Sequence, residues 1–190
     1  MKERPILFST DMVKAILDDK KTMTRRVIKH PEKYERIREC DFCCPYGKVG
    51  QRLWVRETWD SDCTCCNPKC NGVIYKAGYS GVIVPDKWRP SIFMPRWASR
   101  ITLEITNIRV ERLQEITEKD ALAEGVDWYS IENKIEGIGR WIEGIGRCQQ
   151  AFRKLWDSIN TKRGYSWESN PWVWVISFRR CYHQTRSKPL

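Results

Sequence analysis

Residues 18–27 bring together lysine, threonine and arginine side chains that could carry out chemistry. Lys21 and Thr24 are three residues apart, and Arg25 and Arg26 follow directly. Nearby cations disfavour a protonated lysine, which lowers its pKa toward the value that a general base requires. Such a base could activate the Thr24 hydroxyl, or a water, for attack on a carbonyl. The same spacing also suits a basic loop that contacts phosphates.

Seven of the nine cysteines fall in two groups whose spacing is typical of a two-knuckle zinc site. The proposed ligands are Cys40, Cys43, Cys63 and Cys66, and the alternative ligands are Cys44, Cys65 and Cys70. Each knuckle would supply two thiolates to a tetrahedral ion. The sequence therefore predicts a structural zinc, with free reduced thiols as the alternative.

A carboxylate at an unfavourable helix position is a further candidate. The spacing of Thr117 and Asp120 is that of a capping box, and Gly125 ends the short helix that it predicts. Glu124 is then close to the helix C-terminus, where the dipole disfavours an exposed carboxylate by about 0.3–1 kcal/mol. Its position invites a functional account, and a solvated surface side chain is the alternative.

A helix and a strand must position the Lys21–Arg26 corner. An apolar run at residues 6–8 predicts a strand, and cap-type side chains at residues 9–11 begin a helix that the spacing of apolar residues carries to residue 17. From Thr24 the chain alternates, with Thr24, Arg26 and Ile28 on one side and Arg25 on the other. This alternation predicts a strand with one solvent-exposed face.

The rest of the chain predicts a single α+β domain built on a curved sheet or small barrel. Strands are predicted at residues 53–59, 73–75, 101–110 and 172–178, and a helix at residues 151–159. The last strand is apolar on both faces, so we expect it to be central. The apolar parity flips near residues 106–107, which indicates a bulge or bend. Insertions are expected at residues 30–50, 60–72 and 127–147, the last as a mobile glycine-rich loop.

Composition favours a polyanionic partner. The chain has 34 Lys and Arg against 24 Asp and Glu, a formal net charge of +10. This surplus favours RNA or DNA, and a merely basic, soluble surface is the alternative. We expect no membrane span, because no run of about 18 apolar residues occurs. Nine cysteines without a signal peptide predict reduced thiols in a cytoplasm.

Five motifs together resemble those of ASCH-domain proteins, in particular the longer versions encoded by phages and prophages. They are Lys21-Thr22-x-Thr24-x-Arg26, Gly50-x-Arg52-Leu53-Trp54-Val55-Arg56-Glu57, Pro95-Arg96-Trp97-Ala98-Ser99-Arg100-Ile101, residues 113–126 and Asn170-Pro171-Trp172-Val173-Trp174-Val175. The resemblance implies a PUA-like small β-barrel flanked by helices, here with a Cys-rich insertion. It also implies a cleft for RNA, DNA or a nucleobase, and the host cytoplasm as the location of a phage-encoded protein.

The resemblance extends to a bacterial N4-acetylcytidine amidohydrolase of this fold, which uses a lysine, a threonine and a glutamate. These match Lys21, Thr24 and Glu124. Thr24 would be the nucleophile or would position the attacking water, and Lys21 would be the general base. Glu124 would orient Lys21 or carry a proton to the leaving amine. Arg25 or Arg26 would hold a phosphate or the oxyanion, and no cofactor is implied for catalysis.

Further candidate contacts to a modified nucleoside or a nucleic acid come from the other motifs. They are Trp54, Arg56, Glu57, Arg96 and Trp97. The two tryptophans could stack on bases, and burial in the core is the alternative for each. The resemblance thus favours an amidohydrolase, with a non-catalytic RNA- or single-stranded DNA-binding module or a nuclease as alternatives.

Overall fold

The computed structural model describes residues 3–33, 44–61, 72–80, 85, 87–126 and 146–182. Cys44 lies within these ranges, but the other six cysteines of the predicted zinc site lie outside them. Most of the predicted glycine-rich loop, residues 127–145, also lies outside them. The zinc site and the loop therefore stay predictions.

The described residues form strands and helices in mixed order, which confirms the α+β class. The strands are β1 (Glu3–Leu7), β2 (Met23–Val27), β3 (Arg52–Arg56), β4 (Trp59–Asp60), β5 (Ile74–Tyr75), β6 (Thr102–Arg112) and β7 (Trp172–Cys181). The α-helices are α1 (Thr10–Leu17), α2 (Glu118–Ala123) and α3 (Arg147–Asn160). Short 3₁₀ helices lie at Pro31–Lys33, Ser91–Phe93, Arg96–Ala98, Leu113–Glu115 and Thr161–Arg163.

The main sheet has five strands in the order β1-β3-β6-β7-β2. Strands β1 and β3 run parallel, and the other neighbours are antiparallel. Strand β7 lies inside the sheet, as its apolar residues on both faces predict. The register of β6 against β7 shifts between Ile105 and Asn107, which confirms the predicted bulge. Strands β4 and β5 form a separate ribbon.

One predicted strand is shorter than expected. The pattern at residues 53–59 predicts a single strand, but β3 ends at Arg56 and β4 begins at Trp59. The main-chain N–H of Glu57 donates to Met94 Sδ at 3.4 Å, and the Glu57 side chain binds Arg100. These contacts take Glu57 out of the sheet ladder, so the chain turns there into a second element.

Alternate residues of β7 face two different cores. Trp174 and Ile176 lie in a first core, which α1 covers, whereas Val173 and Val175 lie in a second core with α2 and α3. This division follows from the period of two along a strand. A smaller third core contains Trp59, Met94 and Ala98. No helix in the described ranges is both long and apolar enough to span a bilayer.

Candidate active site

The turn after α1 fixes the position of Lys21. Asp19 adopts φ 55°, the left-handed conformation that commonly follows a helix. The main-chain N–H of Lys21 then donates to Ala15 O at 3.0 Å, and that of Thr22 donates to Ala123 O at 2.9 Å. The corner is therefore tied to the last turn of α1 on one side and to the end of α2 on the other.

A glycine allows α2 to approach this corner closely. Gly125 follows Glu124 with φ +76°, and an added Cβ there would lie 2.8 Å from Lys21 Cβ and 2.9 Å from Ala15 Cβ. Real Cβ contacts are longer than this, and the backbone conformation also favours glycine. The predicted glycine stop of α2 thus has a second role, because it leaves room for Lys21.

Lys21 and Glu124 form a buried ion pair between residues far apart in the chain. Lys21 Nζ donates to Glu124 Oε2 at 2.7 Å and to the main-chain oxygen of Glu124 at 2.7 Å. The exposed fractions are 2% for Lys21 and 4% for Glu124. The lysine ammonium offsets the unfavourable position of a carboxylate at a helix C-terminus. Glu124 is therefore not the solvated surface side chain that was the alternative.

Arg25 binds the other oxygen of the same carboxylate. Its Nη1 donates to Glu124 Oε1 at 3.3 Å, and its Nη2 donates to Asp120 Oδ2 at 2.9 Å and to Glu111 Oε1. Arg109 contacts Asp120 and Glu111 from the solvent side. The Arg25 side chain is completely enclosed. Arg25 thus holds carboxylates of the protein itself, rather than facing outward toward a phosphate.

The surroundings of Lys21 lower its pKa. Burial is the largest cause, because it disfavours the charged amine. Glu124 opposes this effect, while the charges of Arg26 and Arg25 add to it. The direction is the one that the basic sequence around Lys21 predicts, although burial contributes more than the neighbouring cations. The neutral amine is therefore easier to form here than in an exposed lysine.

Thr24 lies on β2 and is 3% exposed. It pairs with Ile176 of β7, so its side chain faces the first core. Lys21 Nζ also approaches the first core, at 5.8 Å from the centroid of the Phe8 ring. Lys21 Nζ and Thr24 therefore lie toward the same core. The predicted alternation of this strand is confirmed, since Arg25 pairs with Val175 of the second core. The predicted solvent-exposed face is wrong, because a core covers each side of the strand and Arg25 is only 5% exposed.

Arg26 stands beside Lys21 over a shared aromatic ring. Its guanidinium lies 5.1 Å from the Phe8 ring and 6.0 Å from the Tyr46 ring, and it donates to Leu7 O at 2.6 Å. The side chain is only partly buried. Of the two arginines that follow Thr24, Arg26 is the more exposed.

Trp54, Arg56 and Arg96 form a group of their own. The guanidinium carbons of Arg56 and Arg96 lie 4.9 Å and 5.9 Å from the Trp54 ring, and Arg96 also binds Glu3 at 2.7 Å. These side chains leave Trp54 only 7% exposed. Trp97, in contrast, is 69% exposed, so the buried alternative does not describe it. No contact joins these tryptophans to Lys21 or Glu124 among the described residues.

Glu57 belongs to a second buried ion pair. Its two carboxylate oxygens each accept a hydrogen bond of 2.9 Å from Arg100, which also donates to Ala77 O and packs on the Tyr75 ring. Glu57 is 1% exposed, and burial raises the pKa of its carboxyl while Arg100 opposes that rise. Within the described ranges, the structure therefore places Glu57 against Arg100 and not beside Lys21.

Sequence reasoning missed three members of the network around Arg25. Asp120 precedes Glu124 by four residues on a predicted helix, a spacing that puts two side chains on one face. That spacing could have identified it. Glu111 and Arg109 alternate along β6, and no local pattern distinguishes them from other polar residues of a half-exposed strand.

No metal centre is visible in the part of the chain that the structure describes. There, no three His, Cys, Asp or Glu side chains are grouped so that they could hold an ion. Cys44 is buried, and burial raises the pKa of its thiol. The remaining predicted zinc ligands lie outside the described ranges, so their metal binding stays untested.

Comparison with known proteins gives matches of fold. No family model and no curated protein matches the chain. Among solved structures, an ASCH domain from Lactobacillus crispatus JV V101 is similar over 96% of this chain and 81% of that chain, with 15% identity and a TM-score of 0.47. A DUF984 protein from Enterococcus faecalis V583 is similar over 95% of this chain and 77% of its own, with 9% identity and a TM-score of 0.46.

Proposed function

We propose that this protein hydrolyses the amide of an N4-acylated cytosine-type nucleoside, releasing the free 4-amino base and a carboxylic acid. The observation that carries the proposal is the buried contact of 2.7 Å between Lys21 Nζ and Glu124 Oε2, next to the strand that bears Thr24. A hydroxyl, a lysine of lowered pKa and a carboxylate that holds the lysine supply the three roles of nucleophile, base and orienting group.

The first half of the proposed reaction transfers the acyl group to the enzyme. Thr24 Oγ1 attacks the amide carbonyl carbon while the neutral Lys21 amine accepts the hydroxyl proton. The carbon–nitrogen bond of the tetrahedral intermediate then breaks, and Lys21 returns the proton to the departing N4 nitrogen. Glu124 stabilises the lysine cation that exists between these two transfers. The products of this half are the free base and acyl-Thr24.

The second half restores the enzyme. A water attacks the acyl carbonyl as Lys21 accepts one of the water's protons. The bond to Thr24 Oγ1 breaks, the carboxylic acid leaves, and Lys21 returns the proton to the Thr24 oxygen. Arg25 keeps the second oxygen of Glu124 occupied throughout, so that Glu124 stays aligned on Lys21. Arg26, which lies over the Phe8 ring and is more exposed than Arg25, would stabilise the oxyanion.

Purified protein tests the proposal with N4-acetylcytidine as substrate and with cytidine and acetate as the measured products. We expect turnover by the wild type and a loss of about 10²–10⁴-fold in kcat for Lys21→Ala, the range for removing a general base. Lys20→Ala is the matched control, because Lys20 is the adjacent lysine and is exposed. Equal activity of Lys21→Ala and Lys20→Ala would refute the role of Lys21.

The role of Thr24 is tested separately, because it could instead position the attacking water. In the covalent reaction, mass spectrometry of enzyme quenched during turnover shows one added acetyl group on Thr24. Thr24→Ala loses both the adduct and the turnover, while Thr22→Ala, at an exposed threonine two residues earlier, keeps them. Turnover that depends on Thr24 without any adduct would assign the attack to water.

Absence of turnover would count against the proposed hydrolysis. A wild-type protein that does not hydrolyse N4-acetylcytidine, but binds RNA or single-stranded DNA with an affinity that falls with salt, fits the non-catalytic binding module. The formal net charge of +10 is the observation that favours that second candidate.

A further inference from the structure

Two consecutive 3₁₀ helices, Ser91–Phe93 and Arg96–Ala98, hold large apolar side chains out toward solvent. Ile92, Phe93 and Trp97 are 55%, 67% and 69% exposed. We call these three side chains the aromatic platform. Large apolar side chains grouped at a protein surface commonly mark an interaction site.

The segment that carries the platform is fixed to the fold. Met94 and Ala98 are almost completely buried in the third core, so they anchor the chain on both sides of the exposed residues. Trp97 packs edge-on against Trp59, with ring centroids 6.0 Å apart. Ser99 Oγ donates to Val55 O at 2.8 Å. The exposure of the platform is therefore a property of an anchored surface.

The charge around the platform is positive. Residues 87–100 contain four basic and no acidic side chains. Arg89, Arg96 and Arg100 are each paired with one carboxylate from elsewhere in the chain, and Lys87 is exposed. With Arg56 beside Trp54, the described residues place five cations here against the three carboxylates Asp60, Glu3 and Glu57. Rings for stacking beside surplus cations are typical of surfaces that bind single-stranded nucleic acid.

The platform lies at the same end of the sheet as Lys21. Strands β1 and β3 are parallel, and both end here. Phe8, just after β1, lies under Lys21 Nζ and donates its main-chain N–H to Arg56 O at 3.2 Å. Glu57, just after β3, contacts Met94, which lies between the two platform helices. A chain of direct contacts thus connects the candidate active site with the platform.

We propose that the aromatic platform binds consecutive bases of single-stranded nucleic acid, with the surrounding arginines and lysine contacting its phosphates. A strand held in this way would present one acylated cytosine to Lys21 and Thr24. This last step rests on the proposed function, whereas binding to the platform does not. The enzyme would then act on a base within a polymer as well as on the free nucleoside.

Fluorescence anisotropy of the full chain with labelled 12-nucleotide oligouridine and oligodeoxythymidine tests the binding. We expect each of Phe93→Ala and Trp97→Ala to weaken affinity about tenfold, because stacking on one aromatic ring supplies that order of binding energy. Val49→Ala is the control, since Val49 is an exposed apolar residue outside the platform and is 60% exposed. Tighter binding of one oligomer would identify RNA or DNA as the preferred strand, and either preference supports the proposal.

A matched pair of arginines tests whether the basic side chains around the platform contact phosphates. Arg96 binds Glu3, and Arg179 binds Glu104 in a second surface ion pair, on β6 and β7. Arg96→Ala should weaken binding and reduce its dependence on salt, because a phosphate contact releases counterions. Arg179→Ala should leave both unchanged. Equal effects of the two substitutions would overturn the proposal that the basic side chains around the platform contact phosphates.

The outcomes separate this inference from the proposed function. If Phe93→Ala and Trp97→Ala bind the oligomers as tightly as the wild type, the platform proposal is wrong even if N4-acetylcytidine is hydrolysed. If both variants lose affinity while the wild type hydrolyses nothing, the platform stands and the proposed reaction is wrong. A wild type that forms dimers, loses them on Trp97→Ala and binds no oligomer would assign the platform to a second copy of the chain, and so overturn the proposal.

Discussion

Two buried carboxylates, Glu124 and Glu57, lie at the ends of α2 and β3 and differ in the cations that hold them. Both oxygens of Glu57 bind one guanidinium, that of Arg100, at 2.9 Å each. The oxygens of Glu124 bind two different residues, Lys21 at 2.7 Å and Arg25 at 3.3 Å. The exposed fractions of the two glutamates are similar, 1% and 4%, so burial does not distinguish them.

The difference lies in which partner can release a proton. Arginine keeps its charge in proteins, so Arg100 can hold Glu57 and connect elements but cannot itself accept or release a proton. Lysine can lose its proton, and the pKa of Lys21 is lowered by burial and by Arg26 and Arg25. A buried ion pair is therefore weak evidence for chemistry by itself. The identity of the cation decides whether the pair can do more than hold the fold.

Replacement of the two arginines should show the largest difference in stability. Arg25→Met removes contacts to Glu111, Asp120 and Glu124, and we expect the free energy of unfolding to fall by about 3–5 kcal/mol, as for a broken buried ion pair. Arg100→Met should cost less, because its side chain is 33% exposed and Glu57 can take up a proton. Urea denaturation measures both. A larger loss for Arg100→Met would contradict the comparison.

A glycine pair tests how tightly the surroundings of Lys21 are packed. Gly125→Ala places a Cβ 2.8 Å from Lys21 Cβ, whereas Gly164→Ala, at a similar φ of +83°, meets nothing within 4 Å. Both variants should lose about 1 kcal/mol from the left-handed backbone, and Gly125→Ala should lose about 1–3 kcal/mol more from overpacking. Denaturation of both proteins measures the difference. Equal losses would show that the residues around Lys21 can shift to admit the added Cβ without loss of stability.

The pH dependence of stability tests the description of Glu57. Burial raises the pKa of its carboxyl above the ordinary value of 4.5, so the folded state holds this proton more tightly than the unfolded state. The resulting stabilisation is complete below pH 4.5 and is lost as the pH rises through the folded-state pKa. The free energy of unfolding of the wild type minus that of Glu57→Gln should therefore fall with rising pH. A difference that rises would show that Arg100 outweighs burial.

Local patterns predicted most of the fold but only part of the site. The spacing of Val13 and Ile16 in α1, the apolar faces of β7 and the parity change at Thr106 each depend on neighbours in sequence, and each is confirmed. The burial of Trp54 and the exposure of Trp97 could not be predicted. They depend on which arginines cover each ring, and those arginines come from other elements.

The contacts within the candidate site also depend on residues that are far apart in the sequence. Lys21 and Glu124 are 103 residues apart, and only the resemblance to ASCH-domain proteins connected them before the structure did. The helical spacing of Asp120 and Glu124 was available in the sequence. The enclosure of Arg25 by carboxylates of α2 and β6 was not, because it depends on how the helix packs against the sheet.

The most direct test of the contrast between the two carboxylates is kcat/KM for N4-acetylcytidine in Glu124→Gln and Glu57→Gln, measured side by side on folded protein. Both substitutions keep the size of the side chain and remove one negative charge from a buried ion pair. If Glu124 alone serves the chemistry of Lys21, Glu124→Gln loses about 10²-fold or more and Glu57→Gln stays close to the wild type. Equal losses in the two variants, or a wild type without turnover, would contradict this account.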